Sequence, residues 1–195
     1  MAQRAGASAE DVSARRPSTS GARAIALVPF GEVKLEKLES LREIVRERLE
    51  RDLIAHDQLE LPRSAFDPSR GQYRSTSLLD TLAKIKRPGC ERVLGVAEVD
   101  LYVPELNFVF GEADSARGVA VFSVARLAPA KTEELFRRRV ATEALHELGH
   151  SYGLGHCRRS DCVMWFSNTL AETDRKGTSF CAEHRAQLSS AIGAR

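Results

Sequence analysis

Residues 146–156 read His-Glu-Leu-Gly-His-Ser-Tyr-Gly-Leu-Gly-His, and each fixed position has a mechanical reason. His146 and His150 are four apart, which on a helix sets both imidazoles on one face a turn apart. Two imidazoles so placed bind one Zn²⁺ at about 2.0–2.1 Å each. Glu147 follows the first histidine, so its carboxylate reaches a metal-bound water as a general base rather than as a ligand. Gly153 lets the helix stop, because glycine accepts the left-handed conformation that ends a helix. The chain then turns back and brings His156 to the same ion. Three neutral nitrogens leave a fourth position open for water, the pattern of a catalytic zinc.

Met164 stands eight residues after His156, and the only other methionine is Met1. The extended motif with a methionine downstream is the metzincin signature and its Met-turn. Met164 is expected to be structural, a soft thioether floor under the imidazoles. Trp165 and Phe166 are expected to support that turn or line a pocket.

Cys157 directly follows His156, Cys162 comes five positions later, and Cys181 and His184 form a C-x-x-H pair. In these residues the sequence resembles the archaemetzincins, which carry a cysteine after the third histidine and a cysteine-rich second metal site. It departs from their pattern at His184, where a cysteine is usual, and in a Met164–Cys181 spacing one residue short. The resemblance covers residues 146–184 sharply and the rest of the chain diffusely. It implies a zinc metallopeptidase with two zinc ions per chain, one catalytic and one structural. Cys157, Cys162, Cys181 and His184 make a closed Cys₃His set of the structural type. Either His184 replaces the fourth cysteine, or it is an exposed helix histidine and another donor completes the set.

The elements that must position these residues follow from the patterning. Residues 24–30 are a continuous apolar run, as for a strand buried on both faces of a parallel sheet. From residue 34 to about 55, Leu38, Leu41, Val45, Leu49 and Leu53 recur at helical steps. His56 is expected as an exposed cap at that helix's end. Residues 59–61 read as a second strand, 64–74 as a loop and 75–86 as a helix stopped by Pro88-Gly89. Residues 92–102, 107–110 and 119–127 read as strands, the last two able to pair as an antiparallel hairpin across a turn at 111–118. The resemblance gives residues 107–110 the antiparallel edge strand that rims a metzincin cleft and receives substrate by backbone pairing. The site helix is expected over residues 132–152, capped by Thr132, with Glu133 and Glu134 in its first turn. Arg137, Arg138 and Arg139 read as a solvated face, and residues 182–192 as a short closing helix. Lone Cys90 is expected to pack, not ligate.

At 195 residues the chain is long enough for one domain with its own core. The expected fold is α/β and metzincin-like. A twisted mixed sheet, mostly parallel with one antiparallel edge strand, is packed by helices, with a small zinc-bound C-terminal lobe. Residues 1–22, rich in Ala, Ser, Arg and Gly, are expected to be a disordered tail. Residues 23–156 then form the sheet–helix part and residues 157–195 the Met-turn and structural-zinc lobe.

A net charge of +2 and the lack of interleaved aromatic and basic residues argue against a nucleic-acid partner. No apolar run approaches the ~18 residues of a spanning helix, so no membrane partner is expected. No secretory signal is visible in the first 23 residues, and three of the four cysteines sit at zinc spacings. A reducing, cytoplasmic setting is therefore expected, with a monomer acting on a peptide or protein substrate. The rival is a zinc-stabilised binding module with little turnover; the intact Glu147 counts against it.

Overall fold

The computed structural model describes residues 24–33 and 38–193; the expected N-terminal tail lies outside the described residues. The elements in chain order are β1 (Ala24–Phe30), α1 (Ser40–Leu49), β2 (Asp52–Ala55), a 3-10 turn (Arg63–Ala65), β3 (Phe66–Asp67), β4 (Gln72–Arg74) and α2 (Ser75–Ile85). There follow β5 (Cys90–Ala97), β6 (Leu101–Tyr102), β7 (Gly111–Asp114), β8 (Val119–Ser123), α3 (Glu133–Ser151), α4 (Leu170–Arg175) and α5 (Ala182–Gly193). The main sheet has the order β2-β1-β5-β8-β7. Its first four strands run parallel and β7 runs antiparallel to β8 at the edge. The fold is thus the expected mixed α/β sheet with one antiparallel edge.

The central strands β1, β5 and β8 are apolar because helices cover both of their faces. On one side Leu41, Val45 and Leu49 of α1 and Ala144, Leu145 and Leu148 of α3 pack with Ile25, Leu94, Val96 and Phe122. On the other, Leu78, Leu79 and Leu82 of α2 cover Val28, Val93 and Val121. Each of these buried leucines contributes about 1.5–3 kcal/mol relative to exposure.

Several expected elements are shifted. The helix expected to reach residue 55 ends at Leu49, where Glu50 turns left-handed with φ 54°. Residues 52–55 instead become β2, parallel to β1. Leu59 follows only as a single bridge to Phe30, not as the second strand. His56 consequently lies in the loop after β2, half-buried, and caps no helix. The strand expected over 92–102 breaks after Ala97, and its end becomes β6 in a small second sheet, β3-β4-β6. Most relevant to the cleft, the edge strand is Gly111–Asp114, four residues later than expected and inside the segment read as a turn. Residues 107–110 still touch the rim, through Val109's bridge to Leu101 and Phe110's carbonyl, which accepts from the Ser123 amide.

Candidate active site

The site is built on α3. Thr132 caps it as expected, its hydroxyl accepting from the Leu135 amide at 3.1 Å. From Val140 to Gly149 the helix is buried nearly all round, between the sheet and the C-terminal segment. It ends where the motif requires. The Leu154 amide donates to the Gly149 carbonyl, and the Gly153 amide to the His150 carbonyl. Gly153 has φ 91°, a conformation that suits glycine at a helix end.

That turn brings His156 back over His146, their rings stacked with centroids 5.4 Å apart, while His150 meets both edge-on. One ligand nitrogen from each of His146, His150 and His156 lies within 4.8 Å of the others, a group that could hold a metal ion. Backbone carbonyls fix two of the rings. His146 Nδ1 is 2.8 Å from the Val163 carbonyl and His150 Nδ1 is 2.7 Å from the Leu154 carbonyl. A carbonyl only accepts, so both Nδ1 atoms carry the proton and both Nε2 atoms are bare. Those Nε2 atoms face each other at 3.1 Å. Two lone pairs at that separation repel, whereas two donors on one tetrahedral zinc stand about 3.3–3.4 Å apart. The donor set therefore fits zinc. Burial adds to the fit by disfavouring imidazolium. It holds His146 well below its usual range, lowers His150 to about 4 and lowers His156, with the Lys176 ammonium acting in the same direction on all three.

Glu147 is 5% exposed and lines the same cleft of about 460 Å³ as the three histidines. Burial pushes its carboxyl well above the usual range. The nearby Glu143 carboxylate adds to this, and Lys176 opposes it. Phe166, exposed at the mouth, lies 4.9 Å from the His156 ring, so it lines the cleft rather than the core.

Met164 is fully buried, and its thioether occupies the space beside Gly149 of the site helix. Its carbonyl accepts from the Cys157 amide at 2.8 Å, which ties the turn to the residue after His156. Cys157, Cys162, Cys181 and His184 form the second group with ligand atoms mutually within 4.8 Å. His184 is buried, not an exposed helix histidine. Its Nδ1 lies 3.2 Å from Cys181 Sγ, and its Nε2 lies 3.2 Å from the Gly155 carbonyl, which can accept its proton. The His184 amide and imidazole pull the Cys181 thiol down to about 6, while burial pushes Cys162 up. Cys90 stands apart from both groups.

The three arginines of α3 are not one solvated face. Only Arg137 is exposed; Arg138 donates to the Asp174 and Lys176 carbonyls. Arg139, 5% exposed, forks onto Asp174 at 2.7 and 2.8 Å and also donates to the Leu127 and Pro129 carbonyls. These bonds strap α4 to the site helix. Sequence reasoning also missed Glu143 and Lys176, a buried ion pair at 3.2 Å beside the site. Glu143 stands one turn before Glu147, which was a readable signal; Lys176 is 33 positions further on and carried none.

Fold and site together define a zinc-dependent metallopeptidase. The model of peptidase family M54 matches residues 27–190. An archaemetzincin of Methanopyrus kandleri is 46% identical over 144 residues, covering 74% of this chain and 81% of that one. One from Pyrococcus furiosus is 38% identical over 180 residues, 87% and 94% of the two chains. The crystal structure of the Methanopyrus kandleri archaemetzincin superposes with a TM-score of 0.82, covering 91% of this chain and 99% of that one at 39% identity. A zinc-dependent peptidase of Methanocorpusculum labreanum gives 0.77, over 85% and 100%, at 31% identity. The chain belongs to the archaemetzincins, peptidase family M54.

Proposed function

We propose that the protein hydrolyses peptide bonds at a zinc ion held by His146, His150 and His156, with Glu147 as general base. The observation that carries this reading is the pair of bare Nε2 atoms facing each other at 3.1 Å, with His156 closing the set beside a buried carboxylate. When bound, zinc supplies an acidified water and Lewis-acid polarisation of the scissile carbonyl. Glu147 takes the proton from the attacking water and passes it to the leaving amine. The Val163 and Leu154 carbonyls hold the imidazoles of His146 and His150 in the ligating tautomer, and Met164 supports them from below. β7 forms the rim, where a peptide in extended form can pair with the sheet edge.

We infer a second, structural zinc at Cys157, Cys162, Cys181 and His184, supported by four donors of the right types gathered in one place. It ties the segment after His156 to α5, and residues 157–195 then act as a small lobe beneath the cleft. All the residues of both sites come from one chain, so a monomer suffices. Among the described residues no helix is long and apolar enough to cross a membrane.

The test is a diverse peptide library digested by zinc-loaded wild type and by Glu147→Gln, read by mass spectrometry. Cuts are expected from the wild type, with Glu147→Gln slower by about 10²–10⁴-fold at unchanged zinc content. Loss of zinc in that variant would show Glu147 to be a ligand. Absence of cuts by the wild type at full zinc loading would favour a binding module.

A further inference from the structure

One buried group on the cleft wall is unused by this mechanism. Glu143 is 2% exposed and lines the same cleft as Glu147. Its Oε1 lies 3.2 Å from Lys176 Nζ and 3.3 Å from the Thr173 hydroxyl, which itself reaches the Ser167 hydroxyl at 3.3 Å. Oε2 accepts no hydrogen bond from the described residues. Since Oε1 is turned to Lys176, the oxygen left for the cleft is Oε2.

The rest of the wall narrows what that oxygen could read. Glu112, Glu143 and Glu147 line the cleft, and among the described residues no lysine or arginine does. Glu112 is occupied by the Ser75 and Thr76 hydroxyls of α2, and Glu147 has its part in hydrolysis. Lys176 is 0% exposed and not on the wall, so a side chain entering the cleft can bond to Glu143 but not to the ammonium behind it, whose charge acts only through space. The rest of the wall, the three histidines aside, is uncharged: Ser115, Ser167 and Asn168 are its polar side chains, and Val103, Leu106, Phe108 and Phe110 make an apolar stretch. A cleft lined by both apolar side chains and a carboxylate suits a side chain with a methylene stem and a cationic head. A floor serving packing alone would not need a buried ion pair, which is often no more stabilising than apolar residues of equal volume.

We propose that Glu143, anchored from behind by Lys176, is a specificity-determining residue that selects substrates carrying a lysine or arginine side chain beside the scissile bond. The inference rests on the peptidase reading above and names the substrate class it serves.

The test measures binding, so it does not depend on turnover. Zinc-loaded Glu147→Gln protein is titrated calorimetrically with a peptide set in which each position in turn is lysine, arginine, norleucine or glutamate. At one position lysine or arginine is expected to bind about tenfold or more tighter than norleucine, as one charge-assisted hydrogen bond supplies. Adding Glu143→Gln is expected to bring that ratio close to one. Glu143→Gln leaves the Lys176 ammonium buried without its partner, so Glu143→Gln with Lys176→Met is run beside it, with zinc content and melting temperature checked; the ratio collapses there too. Equal binding of lysine and norleucine peptides at every position would overturn the proposal, as would tighter binding of a glutamate peptide or a ratio indifferent to Glu143→Gln. Wild-type turnover is read separately. A lysine preference without turnover would sink the peptidase reading and leave Glu143 as the reader of basic side chains in a binding cleft, which separates the two failures.

Discussion

Gly111, the first residue of the edge strand, lies directly on the side chain of Glu147. A Cβ added at Gly111 would stand 2.5 Å from Glu147 Cγ and 2.7 Å from Cδ, and 2.6 Å from the Val121 carbonyl oxygen. The backbone on the far side cannot give way, so the glutamate must. Gly111→Ala is therefore expected to move the proposed general base while leaving the three imidazoles alone. Displacement of a reacting group by about 1 Å costs on the order of 10²-fold in rate. The measurement is kcat beside zinc content. A fall in kcat at full zinc loading supports the contact's role, and an unchanged kcat refutes it.

Gly149 makes the corresponding approach on the opposite side of the helix. A Cβ there would run into the Met164 thioether, with Met164 Cε at 3.1 Å and Phe180 Cε1 at 3.3 Å. Alanine favours a helix over glycine by about 1 kcal/mol, but overpacking a buried site costs about 1–3 kcal/mol. Because Met164 is fully buried, the second effect wins. Gly149→Ala is expected to lower stability by about 1 kcal/mol and to disturb the turn that carries Val163, the partner of His146 Nδ1. Urea denaturation of the zinc-loaded protein reads the first effect, and zinc affinity the second. A more stable variant would show that helix propensity outweighs the contact.

The site was legible in the sequence where its geometry is local. His146, His150, Gly153 and His156 are joined by one helix and one turn, so their spacing alone specifies how they meet. Cys181 and His184 are close for the same reason. The edge strand was misplaced because hydrophobicity pointed the wrong way. Phe108, Val109 and Phe110 are apolar and line the cleft. Gly111–Asp114 hold only small and acidic residues and are half-buried since they form an edge, with glycine required against Glu147. β2 escaped because a short edge strand with Asp52 at its start continues the apolar stepping of α1 through Leu53. Arg139–Asp174 and Glu143–Lys176 were beyond reach, because each joins residues more than 30 positions apart through tertiary packing.

The Arg139–Asp174 pair gives stability a defined pH dependence. The Arg139 guanidinium, hydrogen-bonded twice to Asp174, holds that carboxyl below its ordinary value of 3.8, against a smaller opposing effect of burial. A carboxyl depressed in the fold stabilises it above the unfolded pKa, and that contribution is lost as pH falls through the folded pKa. The pair is thus fully effective at neutral pH and fades below about pH 4. Asp174→Asn leaves Arg139 buried with only the Leu127 and Pro129 carbonyls. It is expected to cost about 2 kcal/mol at pH 7, less than the 3–5 kcal/mol of a fully buried pair because Asp174 is partly exposed. The stability difference between wild type and Asp174→Asn should shrink as pH is lowered from 5 to 3, since effects common to both proteins cancel. A difference constant over that range would remove the charge from the explanation.

His184 decides whether the second metal site is a Cys₃His set. Its Nδ1 faces Cys181 Sγ at 3.2 Å while its Nε2 reaches the Gly155 carbonyl, one residue before His156. That arrangement links the proposed structural zinc to the third ligand of the catalytic one through both Gly155 and Cys157. His184→Ala is expected to reduce bound zinc from two ions to one per chain and to weaken the remaining ion through the freed His156. His184→Cys, which restores the family's usual cysteine, is expected to keep two ions but lose the bond to Gly155. A structural zinc contributes on the order of 10 kcal/mol to folding. Chelation should therefore lower the melting temperature of the wild type sharply, and His184→Ala should melt low even in excess zinc. Metal analysis after dialysis, beside calorimetry, distinguishes the cases. Two tightly held ions in His184→Ala would show that another donor completes the set and that His184 serves only to brace Gly155.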